Sequence, residues 1–289
     1  MLTIFTDTDT DITPEIASKY NVKLISMPYI VNDKVIYPYI DFKTYDYKVF
    51  YDSLRKGNIP STSALNMDEY LTYFEEEFKK GNDILYIHFS AAMTVTFTFM
   101  YEALEELKVK YPERKFYAID TKAITIGSYI IVIEILDMIS KGKTIDEIME
   151  WSKEGVNHYA TYFYADDLKF FQKSGRVSGL AAMMGTLIGI KPIIFIDEKG
   201  VMRNIGKEKG RKNSLNKLVN TVLSLGEDVK NHRIVIGHTD AYDLASTLGD
   251  MLKEKLGNDI IIDYVVVNPT CGSHCGPNAI GVAFYAKHR

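Results

Sequence analysis

The chain of 289 residues is 46% hydrophobic and 25% charged, the balance of a folded globular protein, and its length suits one large or two moderate domains. A formal net charge of −4 gives no general attraction to nucleic acid or anionic membrane, so neither is expected as a partner. The start, Met1-Leu2-Thr3-Ile4-Phe5-Thr6-Asp7, lacks a basic region, and the most apolar run, residues 180–196, carries Lys191-Pro192 inside it and fails as a membrane span. A cytoplasmic location is the expectation.

Residues 2–6 are a short apolar run that ends in Asp7-Thr8-Asp9-Thr10-Asp11, and Thr13-Pro14-Glu15 reads as an N-cap with proline at the first helical position. Residues 22–31 read as a second strand, 35–37 as a third, and 41–56 as a helix ending at Gly57. The hydroxyl loop Ser61-Thr62-Ser63 leads into Asn66-Met67-Asp68-Glu69, a capping-box start for a helix reaching Lys80. The first pattern then repeats twice. Residues 84–89 form an apolar strand ending at Ser90, with a helix to about Lys110; 116–119 lead through Asp120-Thr121-Lys122 to a helix over 126–141. Thr144 to Glu147 cap one more helix. Strands alternating with helices, with polar loops at the strands' carboxyl ends, predict a parallel sheet covered on both faces and a ligand at those loops. From about residue 160 the texture changes to six strand-like runs separated by fewer, longer helices, which predicts a second α/β domain. The expected division is 1–158 and 159–289.

Three groups of residues are candidates for chemistry. The loops at Ser61 to Ser63, at Ser90 with Thr94 and Thr96, and at Thr121 put hydroxyls and free amide donors at helix starts, as a neutral anion pocket would, although each alone also reads as an ordinary cap. Arg176 follows a helix that stops at Gly175, and its planar fork suits a carboxylate; a solvated surface arginine is the alternative. Asn268-Pro269-Thr270-Cys271-Gly272-Ser273-His274-Cys275-Gly276-Pro277-Asn278 reads as an anion-holding turn in which Gly276 and its neighbours let backbone amides approach a ligand beside His274, or else as a plain glycine-rich connection. Cys271 and Cys275 are expected as free thiols, too close in sequence for a useful disulfide and only half a zinc site. Residues 180–190 are apolar around nearly their whole circumference, which predicts a buried helix with room beside its Ala and Gly positions for a hydrocarbon, or simply core packing. Lys207, Lys209, Arg211 and Lys212 form a basic cluster at a helix start, able to meet an acidic partner or to be only a solvated face.

The ordered set Thr6 to Ile12, Pro60-Ser61-Thr62-Ser63, Ile119-Asp120-Thr121-Lys122, Gly175-Arg176-Val177-Ser178, Ile190-Lys191-Pro192-Ile193-Ile194, Lys209 with Arg211, and Gly272 to Gly281 resembles the DegV family of bacterial fatty-acid-binding proteins over essentially the whole chain. That resemblance implies two α/β domains, an N-terminal parallel sheet flanked by helices and a second domain with a mixed sheet, with one long-chain fatty acid between them in an apolar tunnel. It implies a carrier without catalysis, cofactor or metal of its own, which presents the fatty acid to a separate kinase subunit for phosphorylation to acyl phosphate. Carried onto this sequence, Thr62, Ser63, Ser90, Thr94 and Gly276 belong to the ligand site, with Arg176 and His274 at the phosphoryl-transfer end and the cluster around Arg211 as a kinase-docking face. Two departures stand out: the family's Ser-Ser-Gly-Leu-Ser-Gly-Thr loop is Ser90-Ala91-Ala92-Met93-Thr94-Val95-Thr96 here, and Asp9 replaces a hydroxyl residue. The rival reading is a magnesium-dependent phosphohydrolase of the haloacid dehalogenase type, with Asp7 and Asp9 as nucleophile and acid/base, Ser90 on the phosphate and Asp166-Asp167 on the metal.

Overall fold

A computed structural model describes residues 1–178 and 189–289. The apolar residues 180–188 read above as part of a buried helix lie outside that description.

The chain opens with β1 (Leu2–Asp7), a 3-10 turn over Thr8–Thr10, α1 (Pro14–Lys19) and β2 (Val22–Ile25). Thr13 caps α1 by accepting from Ile16 N, with Pro14 behind it. The run 22–31 is not one strand. After Ile25 the chain leaves the first sheet, and β3 (Tyr29–Val31) pairs instead with β4 (Lys34–Ile36) and with β5 (Ser61–Thr62). Two anchors force the break: Ser26 Oγ donates to Pro38 O at 2.6 Å, and Thr8 Oγ1 accepts from Met27 N at 2.9 Å. Helix α2 (Tyr47–Arg55) begins later than expected, because the Asp46 carboxylate caps Val49 N at 3.1 Å and residues 41–46 are spent on a loop.

Helix α3 (Met67–Lys79) has the predicted capping box between Asn66 and Glu69. Then come β6 (Asp83–His88), α4 (Thr96–Lys110), β7 (Phe116–Asp120), α5 (Ile126–Ser140) and α6 (Ile145–Gly155), the last with its own capping box from Thr144 and Glu147. Strands β2-β1-β6-β7 form a four-stranded parallel sheet in that order.

The second half contains β8 (Tyr159–Tyr164), α7 (Leu168–Ser174), β9 (Val177–Ser178), β10 (Ile190–Ile196), β11 (Met202–Lys209), α8 (Gly210–Leu225), β12 (Ile234–His238), α9 (Tyr242–Leu256), β13 (Ile262–Val266), α10 (Pro269–Cys275) and β14 (Ile280–Tyr285). Its seven-stranded sheet, β13-β12-β14-β8-β10-β11-β9, is mixed: β12 and β13 are parallel, whereas β14 runs against both β12 and β8.

Helix α5 joins the halves. It is largely apolar, with Ile130, Ile131, Val132 and Ile135 essentially inaccessible, and only Glu134, Asp137 and its last turn reach partial exposure. It packs on β8, β12 and β14 of the second sheet, and one continuous core runs from Ile4, Leu85 and Ile119 of the first sheet through α5 to Ile194, Val235 and Ala283 of the second. Each fully buried Ile or Val there contributes about 1.5–3 kcal/mol. Glycines allow the close approach: a Cβ at Gly237 would stand 2.5 Å from Ile126 Cγ2, and one at Gly281 3.1 Å from Ile126 Cδ1. The cleft between the sheets is therefore walled by elements that a single core holds in place.

Candidate functional site

The stretch 268–278, read as a turn, folds as the short helix α10. Asn268 is its N-cap, its Oδ1 accepting from Cys271 N at 3.0 Å, and Pro269 occupies the first turn where no donor is needed. The helix is pinned at its start. Asn268 N and Nδ2 donate to Asp11 Oδ1 at 2.9 and 2.7 Å, Thr270 Oγ1 donates to Met27 O at 2.7 Å, and Tyr51 OH donates to Val267 O at 2.9 Å. The last turn of α10 thus projects His274 from the second half toward the loops of the first.

There His274 Nε2 lies 3.0 Å from Thr62 Oγ1. Thr62 is held by β5, which pairs with β3 so that Thr62 faces Tyr29, while Thr96 Oγ1 accepts from Leu65 N at 3.0 Å and fixes the loop to α4. Thr62, Ser63, Thr94, Arg176 and His274 line a single cleft of about 370 Å³, with Asp9, Met27, Phe89, Met93 and Thr270 also on its walls. Burial, and secondarily the Arg176 charge, lower the His274 pKa to about 4, so the ring is a neutral donor or acceptor at physiological pH. Arg176 sits at the exposed rim, its Nη1 donating to Ser174 O at 2.5 Å.

A second, narrower cavity of about 50 Å³ adjoins the first. Its walls are mostly apolar: Ile124 just before α5 and Ile126 at its start, Phe163 of β8, Phe171 of α7, Ile196 and Met202 of the β10–β11 hairpin, Ala279 just before β14, and Ile280 and Gly281 of β14. Ile124, Met202, Cys271 and His274 belong to both cavities. His274 therefore stands where a hydroxyl-lined mouth meets an apolar channel. The free thiols Cys271 and Cys275 also line the channel; burial drives the first well above its ordinary pKa and the second to about 12, so both are neutral.

Three nominated residues are not at the mouth. Ser90 is fully buried; its Oγ donates to Gly200 O at 2.8 Å and accepts from Ala92 N at 3.2 Å, so the hydroxyl braces β6 against the hairpin turn before β11. Gly276 contributes space rather than an amide: its N–H donates to Gly272 O at 2.9 Å, and a Cβ would meet the Phe170 ring at 2.2 Å. Thr121 is likewise structural, donating to His88 O at 2.9 Å and bonded to Ser128 Oγ at 2.8 Å. The channel walls on β8, β12 and β14 escaped sequence reasoning, although the alternation of Thr161 with Phe163 and of Gly237 with Thr239 was the signal available.

Asp7 of the acidic loop is a scaffold residue. Asp7 Oδ1 accepts from Asp9 N at 3.0 Å, and its Oδ2 accepts from Tyr86 OH at 3.1 Å and Phe89 N at 3.2 Å, with the side chain fully buried. Asp166 is held by Lys191 at 2.7 Å and by Arg211 at 2.9 Å, and Asp167 caps α7 through Lys169 N. Of the carboxylates invoked by the phosphohydrolase reading, Asp7, Asp166 and Asp167 are thus engaged in hydrogen bonds, ion pairs or capping, whereas Asp9 lines the cleft. Among the described residues no group of three or more His, Cys, Asp or Glu side chains could hold a metal ion, and no helix is long and apolar enough to cross a membrane.

A parallel sheet and a mixed sheet share one core, with a polar mouth opening on an apolar cavity between them, and the class of the fold is α/β. The family model described as "Uncharacterised protein, DegV family" matches residues 1–287, and the chain belongs to the DegV family. A DegV domain-containing protein of Clostridium perfringens is 34% identical over 282 residues, covering 97% of this chain and 96% of the relative. Among solved structures, a stearic-acid-binding protein from Eubacterium ventriosum superposes with a TM-score of 0.88 at 18% identity, covering 99% of each chain. A DegV family protein from Eubacterium eligens loaded with heptadecanoic acid does so with a TM-score of 0.83 at 21% identity, covering 99% of this chain and 100% of the other.

Proposed function

We propose that this protein binds one long-chain fatty acid, its alkyl chain in the apolar cavity and its carboxylate in the cleft bounded by Thr62, Ser63, Thr94, Arg176 and His274. The observation that carries this is the bridge from His274 Nε2 to Thr62 Oγ1 at the junction of the two cavities. A neutral imidazole beside hydroxyls offers donors to an anion without burying a second charge, and the alkyl chain contributes about 0.8 kcal/mol per CH2 before ordering costs. The fatty acids carried by the two related structures support the same reading. In this reading Ser90 and Gly276 shape the site without touching the ligand.

The carrier itself does no chemistry; a separate kinase phosphorylates the carboxylate to acyl phosphate at the His274 and Arg176 end, in the cytoplasm. Lys207, Lys209 and Lys212 are exposed beside the Arg211–Asp166 pair and offer the kinase a basic face. Domains divide at 158/159, with α5 crossing into the second layer.

Native mass spectrometry after mild purification tests the reading. A complex heavier than the chain by one fatty acid is expected; a ligand-free protein that turns over phosphate esters only with added magnesium would overturn it in favour of the phosphohydrolase. Incorporation of phosphate from ATP into the bound fatty acid, seen with a purified fatty acid kinase and lost when the basic face is neutralised, tests the presentation step.

A further inference from the structure

Asp9 is the one wall of the mouth that a carboxylate ligand should not tolerate. It is 5% exposed, and its Oδ1 has no hydrogen-bond partner, yet the residue lines the same cleft as Thr62 and His274. It cannot turn away, because its main chain is tied on both sides: Asp9 N donates to Asp7 Oδ1 at 3.0 Å and Asp9 O accepts from Thr125 N at 2.7 Å. Among the described residues it enters no salt bridge. The ionisable groups around it are Asp7 and Asp11 on its own loop, the Cys271 thiol of α10, and the Tyr70 and Tyr86 phenols of α3 and β6. Across the cleft stand His274, neutral, and Arg176 at the exposed rim.

An ionised Asp9 there would face two further acids on its loop, and a fatty-acid carboxylate would add one more charge. A carboxyl that keeps its proton removes that conflict and becomes a donor of the strong O–H to carboxylate kind. Building on the fatty-acid reading above, we propose that Asp9 enters the cleft as a carboxylic acid and donates its proton in a hydrogen bond to the bound carboxylate. Ligand and protein then share one proton and one negative charge, and no bond breaks. Burial, reinforced by Asp7 and Asp11 and only partly offset by Cys271, holds the Asp9 pKa well above the ordinary carboxylate value, in keeping with a protonated side chain. The site is then proton-dependent. Raising the pH through the Asp9 titration in the free protein removes the binding-competent form, and affinity falls by up to about tenfold per pH unit.

The test uses the full chain, hexadecanoic acid supplied from cyclodextrin, hexadecylamine of the same length, and the variant Asp9→Asn, whose amide donates a hydrogen bond but cannot titrate. Calorimetric titrations run at rising pH in buffers of different ionisation enthalpy count the protons taken up, and circular dichroism at each pH verifies the fold. The expected result is weakening of acid binding with alkaline pH, uptake approaching one proton per fatty acid, and loss of both the slope and the uptake in Asp9→Asn. Retention of the acid with a flat pH profile, or an unchanged slope in Asp9→Asn, overturns the Asp9 proposal and leaves the fatty-acid reading standing. Tighter binding of the amine than of the acid by the wild type overturns it as well, because that needs an ionised Asp9. Retention of neither ligand removes the fatty-acid reading and the Asp9 role with it.

Discussion

Replacing Gly276 with alanine should destabilise the protein by about 2–6 kcal/mol, from two separable sources. The backbone there has φ 68° and ψ 176°, a region left to glycine and costing other residues about 1–3 kcal/mol. The added methyl would also stand 2.2 Å from Phe170 Cδ2 and 2.7 Å from Cε2. Phe170 is 1% exposed and has no open space to swing into, so the overlap adds about 1–3 kcal/mol of overpacking. Urea unfolding of Gly276→Ala, alone and in a Phe170→Leu background, separates the terms: the smaller side chain should recover about 1–2 kcal/mol as a coupling energy, with the remainder backbone strain. A cost below about 0.5 kcal/mol in the wild-type background would refute the whole account. Equal costs in both backgrounds would refute its steric half. Because the Gly276 amide closes the helix that carries His274, fatty-acid retention should fall in step with stability.

Other substitutions probe the remaining parts of the site. Thr62→Val deletes the hydroxyl facing His274 and leaves a ring nitrogen unpaired, so ligand affinity should drop by about 1–2 kcal/mol, read by competition with a fluorescent fatty acid, while the unfolding midpoint moves little. Ser90→Ala should do the reverse: the loss of its bond to Gly200 O costs about 1 kcal/mol of stability, and an affinity loss as large as that of Thr62→Val would restore Ser90 to the head-group site. For His274 the folded pKa of about 4 lies below the ordinary 6.5, so the unfolded chain binds the extra proton first. The stability contributed by its neutral burial is complete above about pH 6.5 and is lost as pH falls toward 4, up to about 3 kcal/mol. Unfolding free energies of wild type and His274→Gln across that window should converge at the acid end, and parallel curves would contradict the assignment.

The elements that were legible in the sequence are those whose signals are local. The Asn66–Glu69 and Thr144–Glu147 boxes and the Thr13-Pro14 start each satisfy orphan amides with neighbours a turn away, so residue order alone locates them. The break at Ser26 and Met27 was hidden, since its cause is a pair of contacts to Pro38 and Thr8 on other segments. Asn268-Pro269 carried a helix-start signal that the later Gly and Pro residues masked. Seven residues then closed as α10, because Asp11 and Met27 hold its first turn.

By itself the sequence determined the class of the fold and the DegV resemblance, because periodicity, caps and ordered motifs are written in neighbouring residues. Tertiary structure alone decided which hydroxyl faces the cleft and which is spent inside. Ser90 and Thr62 look alike in sequence, yet one is taken by the Gly200 carbonyl, 110 residues away, and the other meets His274, 212 residues away. A hydrogen bond belongs to whichever partner packing brings within reach, and only the folded chain sets that distance.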